Sequence, residues 1–293
     1  MDTKHKRMPS SLAVYGGVGM VTPEIERRFF TKVRLPNGTY KTTYRHRLDD
    51  VNEWLLEFLP SNRCLNIMDV AVSSGFSTVE WSDHLQAHGF QHQLVASDLV
   101  TEAWLTSWSI WLAVLFDSSG QDPLLLEIGR VTVPVRSDRW LARALRPLLF
   151  PLLRAIAAVG RRVGPAPPMA PVVPRRWVHR SVPLVSPELH RRQDIEIVQD
   201  DITTPGRFPL AFDVIRVANL VQRVYFDDDT LRKIVINLRD RLRDGGILII
   251  CRTTENGVNH ATIFRRTGDC FVFDASINDG AEVRDLVLAL SCQ

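Results

Sequence analysis

The sequence predicts an α/β fold: a doubly wound, mostly parallel sheet with an antiparallel C-terminal hairpin, and a cap inserted after the second strand. Three observations predict it. From about residue 62, short apolar runs alternate with amphipathic helical periods, the pattern of strands covered on both faces by crossover helices. Between 101 and 192 that alternation gives way to a stretch of different composition. After Cys251, two apolar runs flank Arg266-Thr267-Gly268-Asp269, which reads as a hairpin. The chain divides accordingly into an N-terminal helical segment (1–61), an α/β domain (62–100 and 193–293) and an arginine-rich cap (101–192).

Taken in order, Thr22-Pro23-Glu24 opens a helix to about Thr31, with a capping hydroxyl and Pro at the first helical position. Pro36-Asn37-Gly38-Thr39 is a turn. Asp49 or Asp50 caps a helix whose Val51, Trp54, Leu55 and Phe58 share one face, and Pro60 stops it. Cys64 to Ala71 is a buried strand, followed by the small residues Ala71, Ser73, Ser74 and Gly75. Ser77 and Glu80 form a capping box that opens a helix to His88. Gln93 to Asp98 is the second strand, and 195–201 and 212–219 are the third and fourth. Asp227, Asp228 and Asp229 suit the positive N-terminal end of a long helix reaching Arg243. Gly245-Gly246 ends it, and Ile247 to Cys251 is the fifth strand. The loop 252–260 follows that strand at the same sheet edge.

Composition narrows the classes of function. The 293 residues are 45% hydrophobic and 24% charged with a net charge of +3, which suits a globular chain and excludes a disordered one. No apolar run of secretory type follows the charged N-terminus, so a cytoplasmic protein is expected. Cys64, Cys251, Cys270 and Cys292 have no metal-ligating spacing and read as reduced thiols, so a metal-independent reaction is expected. The stretch from Arg130 to Arg192 holds 13 Arg, no Lys and two acids, a charge of +11, which leaves −8 for the rest. Pro165, Pro167, Pro168, Pro171 and Pro174 mark a linker inside it. Neither 104–116 nor 140–156 has the uncharged length of a membrane span. A packed cap is the plain reading, and peripheral contact of 104–163 with an anionic membrane is the alternative. No nucleic-acid motif accompanies the arginines, which argues against a nucleic-acid partner.

The chemistry-bearing residues fall at strand ends, where open α/β sheets bind ligands. Small side chains at Ala71, Ser73 and Gly75 let a ligand approach the backbone, and the helix start at Ser77 supplies free amides. Asp98 can accept from both hydroxyls of a ribose. Asp200 or Asp201 can accept from an adenine amine while Ile202 packs on the ring. This set suits a nucleoside with a small charged tail.

In this order, Asp69 to Gly75, Asp98, Asp201 and 212–219 followed by a helix and Gly245-Gly246 resemble class I S-adenosylmethionine-dependent methyltransferases of Rossmann-like fold. Ala71 and Ser73 stand where that family usually has glycines. Asn219, Tyr225-Phe226 and the short connection after Cys251 are similar to the chemotaxis-receptor methyltransferase branch. The resemblance implies S-adenosylmethionine as cofactor, held by Asp69, Ala71, Ser73, Gly75, Ser77, Asp98, Leu99, Asp201, Ile202 and Asn219. It implies O- or N-methylation by in-line displacement. His260, Tyr225 and Asn219 are the candidate catalytic residues. The cap's apolar, arginine-rich character favours a small-molecule or lipid-like acceptor. The alternative is a non-catalytic cofactor-binding or membrane-associated scaffold of the same fold.

Overall fold

The computed structural model describes residues 10–15, 21–35, 38–41, 44–109, 111–129, 131–136, 140–166, 176–206 and 208–290. The linker from Pro167 to Pro174, Pro36 and Asn37 of the turn, and Cys292 lie outside these residues. In chain order the helices are α1 (Ser10–Tyr15), α2 (Pro23–Phe30), α3 (Asp49–Leu55), α4 (Phe76–Ala87), α5 (Trp140–Val163), α6 (Pro187–Arg191), α7 (Asp228–Arg241) and α8 (Arg284–Ala289). The strands are β1 (Leu65–Val70), β2 (His92–Asp98), β3 (Glu102–Trp108), β4 (Leu112–Phe116), β5 (Pro123–Ile128), β6 (Val131–Pro134), β7 (Trp177–Pro183), β8 (Ile195–Gln199), β9 (Phe212–Ala218), β10 (Leu242–Thr253), β11 (Asn259–Thr267) and β12 (Cys270–Ile277). The chain forms two compact units, one of Met1–Thr43 with Val100–His190, the other of Tyr44–Leu99 with Arg191–Gln293. The N-terminal segment expected over 1–61 is thus divided at 43/44 between them.

The second unit holds a seven-stranded sheet in the order β12-β11-β10-β9-β1-β2-β8. Strands β8, β2, β1, β9 and β10 run parallel, and β11 and β12 add an antiparallel edge. Helix α7 lays Leu231, Ile234, Val235 and Leu238 on Ile215, Val217, Leu248 and Ile250. Each such side chain contributes about 1.5–3 kcal/mol when fully buried. Asp227 caps α7, its Oδ1 accepting from the Thr230 amide at 2.7 Å.

Other helix starts differ from expectation because tertiary partners take the side chains. Leu48, not an aspartate, precedes α3. Asp49 instead meets the His46 ring at 2.9 Å, and Asp50 accepts from Asn259 Nδ2 at 2.6 Å. The capping box at α4 does not form: Gly75 is the cap, Ser77 lies within the helix, and the Glu80 carboxylate accepts from the His46 amide at 3.0 and 3.1 Å. Helix α7 ends at Arg241, and β10 begins at Leu242 with a register shift before Ile247.

The first unit combines a helix over the arginine-spaced run, α5, with an antiparallel sheet. The apolar run from Trp104 is a β-hairpin, β3 and β4, within a five-stranded antiparallel sheet ordered β6-β5-β4-β3-β7. Helix α5 contains Pro147 and Pro151 and buries Leu153 and Ala157 against Val114, Phe116 and Leu126. It approaches β3 so closely at Gly160 that a Cβ there would lie 2.6 Å from Thr106 Cγ2. Its outer face shows Leu145, Leu148, Leu152, Val159 and Val163. The N-terminal segment is tied in by Glu127, a buried carboxylate that accepts from the Ser11 amide at 2.9 Å and from the Ser11 hydroxyl. Among the described residues, no helix is long and apolar enough to cross a membrane.

Candidate functional site

The five parallel strands of the second unit deliver their C-terminal ends to one edge, so Asp200-Asp201, Asp98, the turn after β1, Asn219 and Thr253 line it in spatial order. The β1–α4 turn is the most constrained part. Ala71, Ser73 and Gly75 all take the left-handed conformation, with φ of 59°, 59° and 83°. A side chain bearing a Cβ pays about 1–2 kcal/mol for that conformation. Ala71 and Ser73 therefore keep the backbone path of the glycines they stand in for, at the cost of strain. The Val72 amide donates to Ser97 O at 3.1 Å, the Gly75 amide to Val72 O at 2.8 Å, and the Ser73 amide to Asp98 Oδ2 at 2.7 Å. Asp98, 8% exposed, thus ties the turn to the neighbouring strand. Ser74 Oγ is buried in the same turn and has no hydrogen-bond partner among the described residues. Leu99, just beyond, is exposed.

Beneath the turn lies a buried ion pair. Arg216 on β9 stands opposite Asp69 on β1 in the parallel register. Its Nε donates to Asp69 Oδ1 at 3.0 Å and its Nη2 to Asp69 Oδ2 at 2.7 Å. Further bonds run from Nη1 to Asn52 Oδ1 at 2.7 Å and from Nη2 to Ser77 O at 3.1 Å, and the guanidinium lies 4.0 Å from the Trp81 ring centroid. Thr78 Oγ1 donates to Asp69 at 2.7 Å. Asp69 therefore anchors the turn from inside the core and does not face a ligand. This pair was missed in the sequence, although an arginine within the apolar strand 212–218 demands a carboxylate partner.

The third strand end divides its two acids. Asp200 pairs with the buried Arg241, at 2.5 Å to Nη1 and 3.3 Å to Nη2. Asp201 is exposed, and its Oδ1 accepts from the Thr203 amide at 2.9 Å and the Thr203 hydroxyl at 2.7 Å. Ile202, expected against a ring, packs instead in the core with α7.

The candidate catalytic residues are distributed unevenly. Asn219, left-handed at φ 60°, accepts from the Thr253 amide through Oδ1 at 2.7 Å and donates to Thr253 Oγ1 at 3.4 Å. Thr253 Oγ1 in turn donates to Asn259 Oδ1 at 2.7 Å, so Asn219 clamps three strand ends. His260 is not in a loop: β10 runs to Thr253 and β11 begins at Asn259, because these residues pair across the hairpin. His260 Nδ1 accepts from the Asp279 amide at 3.2 Å. The Asp279 carboxylate lies 3.4 Å from the same nitrogen, so Nδ1 is engaged by the protein whichever ring nitrogen carries the proton. Tyr225 is half exposed in the loop after β9. The Cys251 thiol behind Asn219 is pushed up to about 11 by burial and stays protonated at neutral pH.

No protein-family model matches this chain, and no curated protein matches its sequence. Solved structures with which it shares similarity include a citrinin polyketide synthase CMeT domain (13% identity, 84% of this chain and 42% of that chain, TM-score 0.36). They also include the N-methyltransferase NodS from Bradyrhizobium japonicum in complex with S-adenosyl-L-homocysteine (14%, 72% and 65%, TM-score 0.33). A third is the [4+2]-cyclase SpnF (11%, 72% and 47%, TM-score 0.33). The chain spans about half the length of the solved structures it matches.

Proposed function

We propose that the second unit binds S-adenosylmethionine and that the protein is a methyltransferase acting on an oxygen or nitrogen of a small-molecule or lipid-like acceptor. The carrying observation is the left-handed turn at Ala71, Ser73 and Gly75, bonded to Asp98 and resting on the Arg216–Asp69 pair. It is a strained backbone path that small side chains keep open, at the edge where such sheets take ligands. The buried Ser74 hydroxyl, unpartnered among the described residues, fits a polar ligand at this turn, as do the amides of α4, whose cap Gly75 has no side chain to satisfy them.

In this reading, the turn and Ser77 hold the methionine end, Asp98 and Leu99 the ribose, and Asp201 the adenine amine. When bound, the cofactor supplies an electrophilic methyl group that a nucleophile displaces in line. The chain's contribution is chiefly positioning, which alone supplies several kcal/mol of barrier reduction. Arg216 and Asp69 fix the turn, and Asn219 fixes the ends of β9 and β10. Tyr225 is the candidate to receive or orient the acceptor's proton. The similarity to the chemotaxis-receptor branch rests on Asn219 and the short 254–258 connection.

The lipid-like acceptor draws on the first unit, where the exposed Leu145, Leu148 and Leu152 lie in the stretch that carries +11. A second reading, a non-catalytic binder, is favoured by the commitment of Asn219 and His260 to structural bonds. Calorimetric titration of S-adenosylhomocysteine into the full chain tests the first reading. Binding is expected, weakened by about 1.5–3 kcal/mol in Asp98→Ala. Absence of binding to folded protein would overturn it, and binding without turnover on any acceptor would favour the second.

A further inference from the structure

A group of side chains away from the β1–α4 turn has the composition and spacing of a metal site. His84 lies on α4 and His88 caps its C-terminus, four residues on, so the two imidazoles share one helix face. Their ring centroids are 4.4 Å apart. Glu53 on α3 approaches the same place, and one ligand atom from each of the three residues lies within 4.8 Å of the others.

Two details favour a cation, and a third is compatible with it. His84 Nε2 and Glu53 Oε2 are 3.2 Å apart. Two ligands bound about 2.0–2.1 Å from a tetrahedral ion are separated by roughly 3.3 Å, so this gap suits a shared metal as well as an ion pair. His84 Nε2 is buried and makes no aligned hydrogen bond among the described residues, which leaves its lone-pair direction uncommitted. His88 Nδ1 lies 2.9 Å from His84 O. A carbonyl only accepts, so Nδ1 carries the proton and Nε2 presents its lone pair outward. That is the arrangement in which an outer hydrogen bond fixes the tautomer of a metal-ligating histidine.

We propose that Glu53, His84 and His88 bind a divalent transition-metal ion of the zinc, cobalt or nickel class, cross-linking α3 to α4. Two imidazoles and one carboxylate suit these ions better than calcium or magnesium, which take oxygen ligands. Three protein ligands leave a fourth position for water. Helix α4 begins at the β1 turn, so the ion would hold the far end of the helix whose near end is fixed by Asp69 and Arg216.

The test is titration of ZnCl2 into metal-stripped full-length protein by calorimetry, with CoCl2 read in parallel through its visible d–d absorption. One equivalent is expected to bind, to raise the melting temperature, and with cobalt to give the absorption of a low-coordinate nitrogen and oxygen site. Loss of even an outer-shell partner of such a site costs about 10–100-fold in affinity, so His88→Ala is expected to lose at least about 100-fold. His88 is exposed and its loss leaves the fold intact, which circular dichroism checks; Glu53→Gln, which keeps the side-chain shape, serves as the second variant. Equal zinc affinity in wild type, His88→Ala and Glu53→Gln would overturn the proposal, as would failure of the wild-type chain to bind either ion. Loss of binding in both variants with unchanged dichroism would establish it.

Discussion

In the second unit, the guanidinium side chains of Arg216 and Arg241 are at most 1% exposed and each meets a carboxylate, whereas in the first unit Trp140 and Leu148 are about three-quarters exposed. The first unit buries charge too, at Arg180 and Glu127, but its long helix adds a row of exposed leucines. Buried ion pairs are costly to desolvate and add little net stability, but they hold one geometry because any other leaves a bare charge. That is what a strained turn requires. Exposed leucines on a helix, in a stretch that is otherwise strongly basic, are the surface on which the proposed contact with a lipid-like acceptor rests.

The largest expected effect is at Arg216. Its replacement by Met strands Asp69 in the core and should cost about 3–5 kcal/mol, read by urea denaturation. A cost under about 0.5 kcal/mol, typical of a surface site, would break the contrast. Within the first unit, two leucines of one helix sharpen it. Leu153→Ala, on the buried face, should cost about 2–5 kcal/mol, and Leu148→Ala less than about 0.5 kcal/mol. Leu148→Ala should instead reduce co-sedimentation with anionic phospholipid vesicles, and added salt should weaken that co-sedimentation further by screening the arginines.

A pH effect separates the units further. His179 on β7 stacks on Trp104 at 4.7 Å and bonds Thr106 Oγ1 at 2.8 Å. Burial, with the Arg161 charge, lowers its pKa from 6.5. The unfolded chain then binds the proton more readily than the folded one, so this group's contribution is intact above about 6.5 and is lost as the pH falls below it. Melting of wild type and His179→Gln between pH 7.5 and 5 on the order of half-unit steps would show the slope disappear in the variant. The smallest effect is at the turn: Ala71→Gly and Ser73→Gly should each add about 0.5 kcal/mol, the left-handed strain relieved less the entropy glycine gains when unfolded. Destabilisation by either would mean that the side chain itself packs a ligand-side contact.

Much of the second unit was legible because its strands are buried on both faces and its helices are amphipathic, two patterns that do not resemble each other. The first unit was not. Trp104-Leu105-Thr106-Ser107-Trp108 is apolar at both ends with polar residues between, and a short run of that kind reads as a strand or as part of a helix until its partners are known. The α4 capping box failed for a different reason, since the Glu80 carboxylate is drawn to His46, 34 residues away. At the site, the strand-end positions of Asp98 and of the small-residue turn are readable from spacing, whereas the bonds of Asn219 and His260 and the core packing of Ile202 depend on partners distant in the chain. The four-residue spacing of His84 and His88 is visible in the sequence, but the third proposed ligand, Glu53, comes from another helix that the spacing does not reveal.

The division of the chain into interleaved segments has a consequence for its synthesis. It crosses between units at 43/44, 99/100 and 190/191. The Ser11 amide waits for Glu127, 116 residues downstream, and β1 acquires its neighbour β9 only after the first unit has been made. A ribosome emitting the chain from its N-terminus thus completes the first unit first, while residues 44–99 stay without the rest of their sheet. During that interval, the apolar strands β1 and β2 are the part of the nascent chain that a chaperone would have to shield.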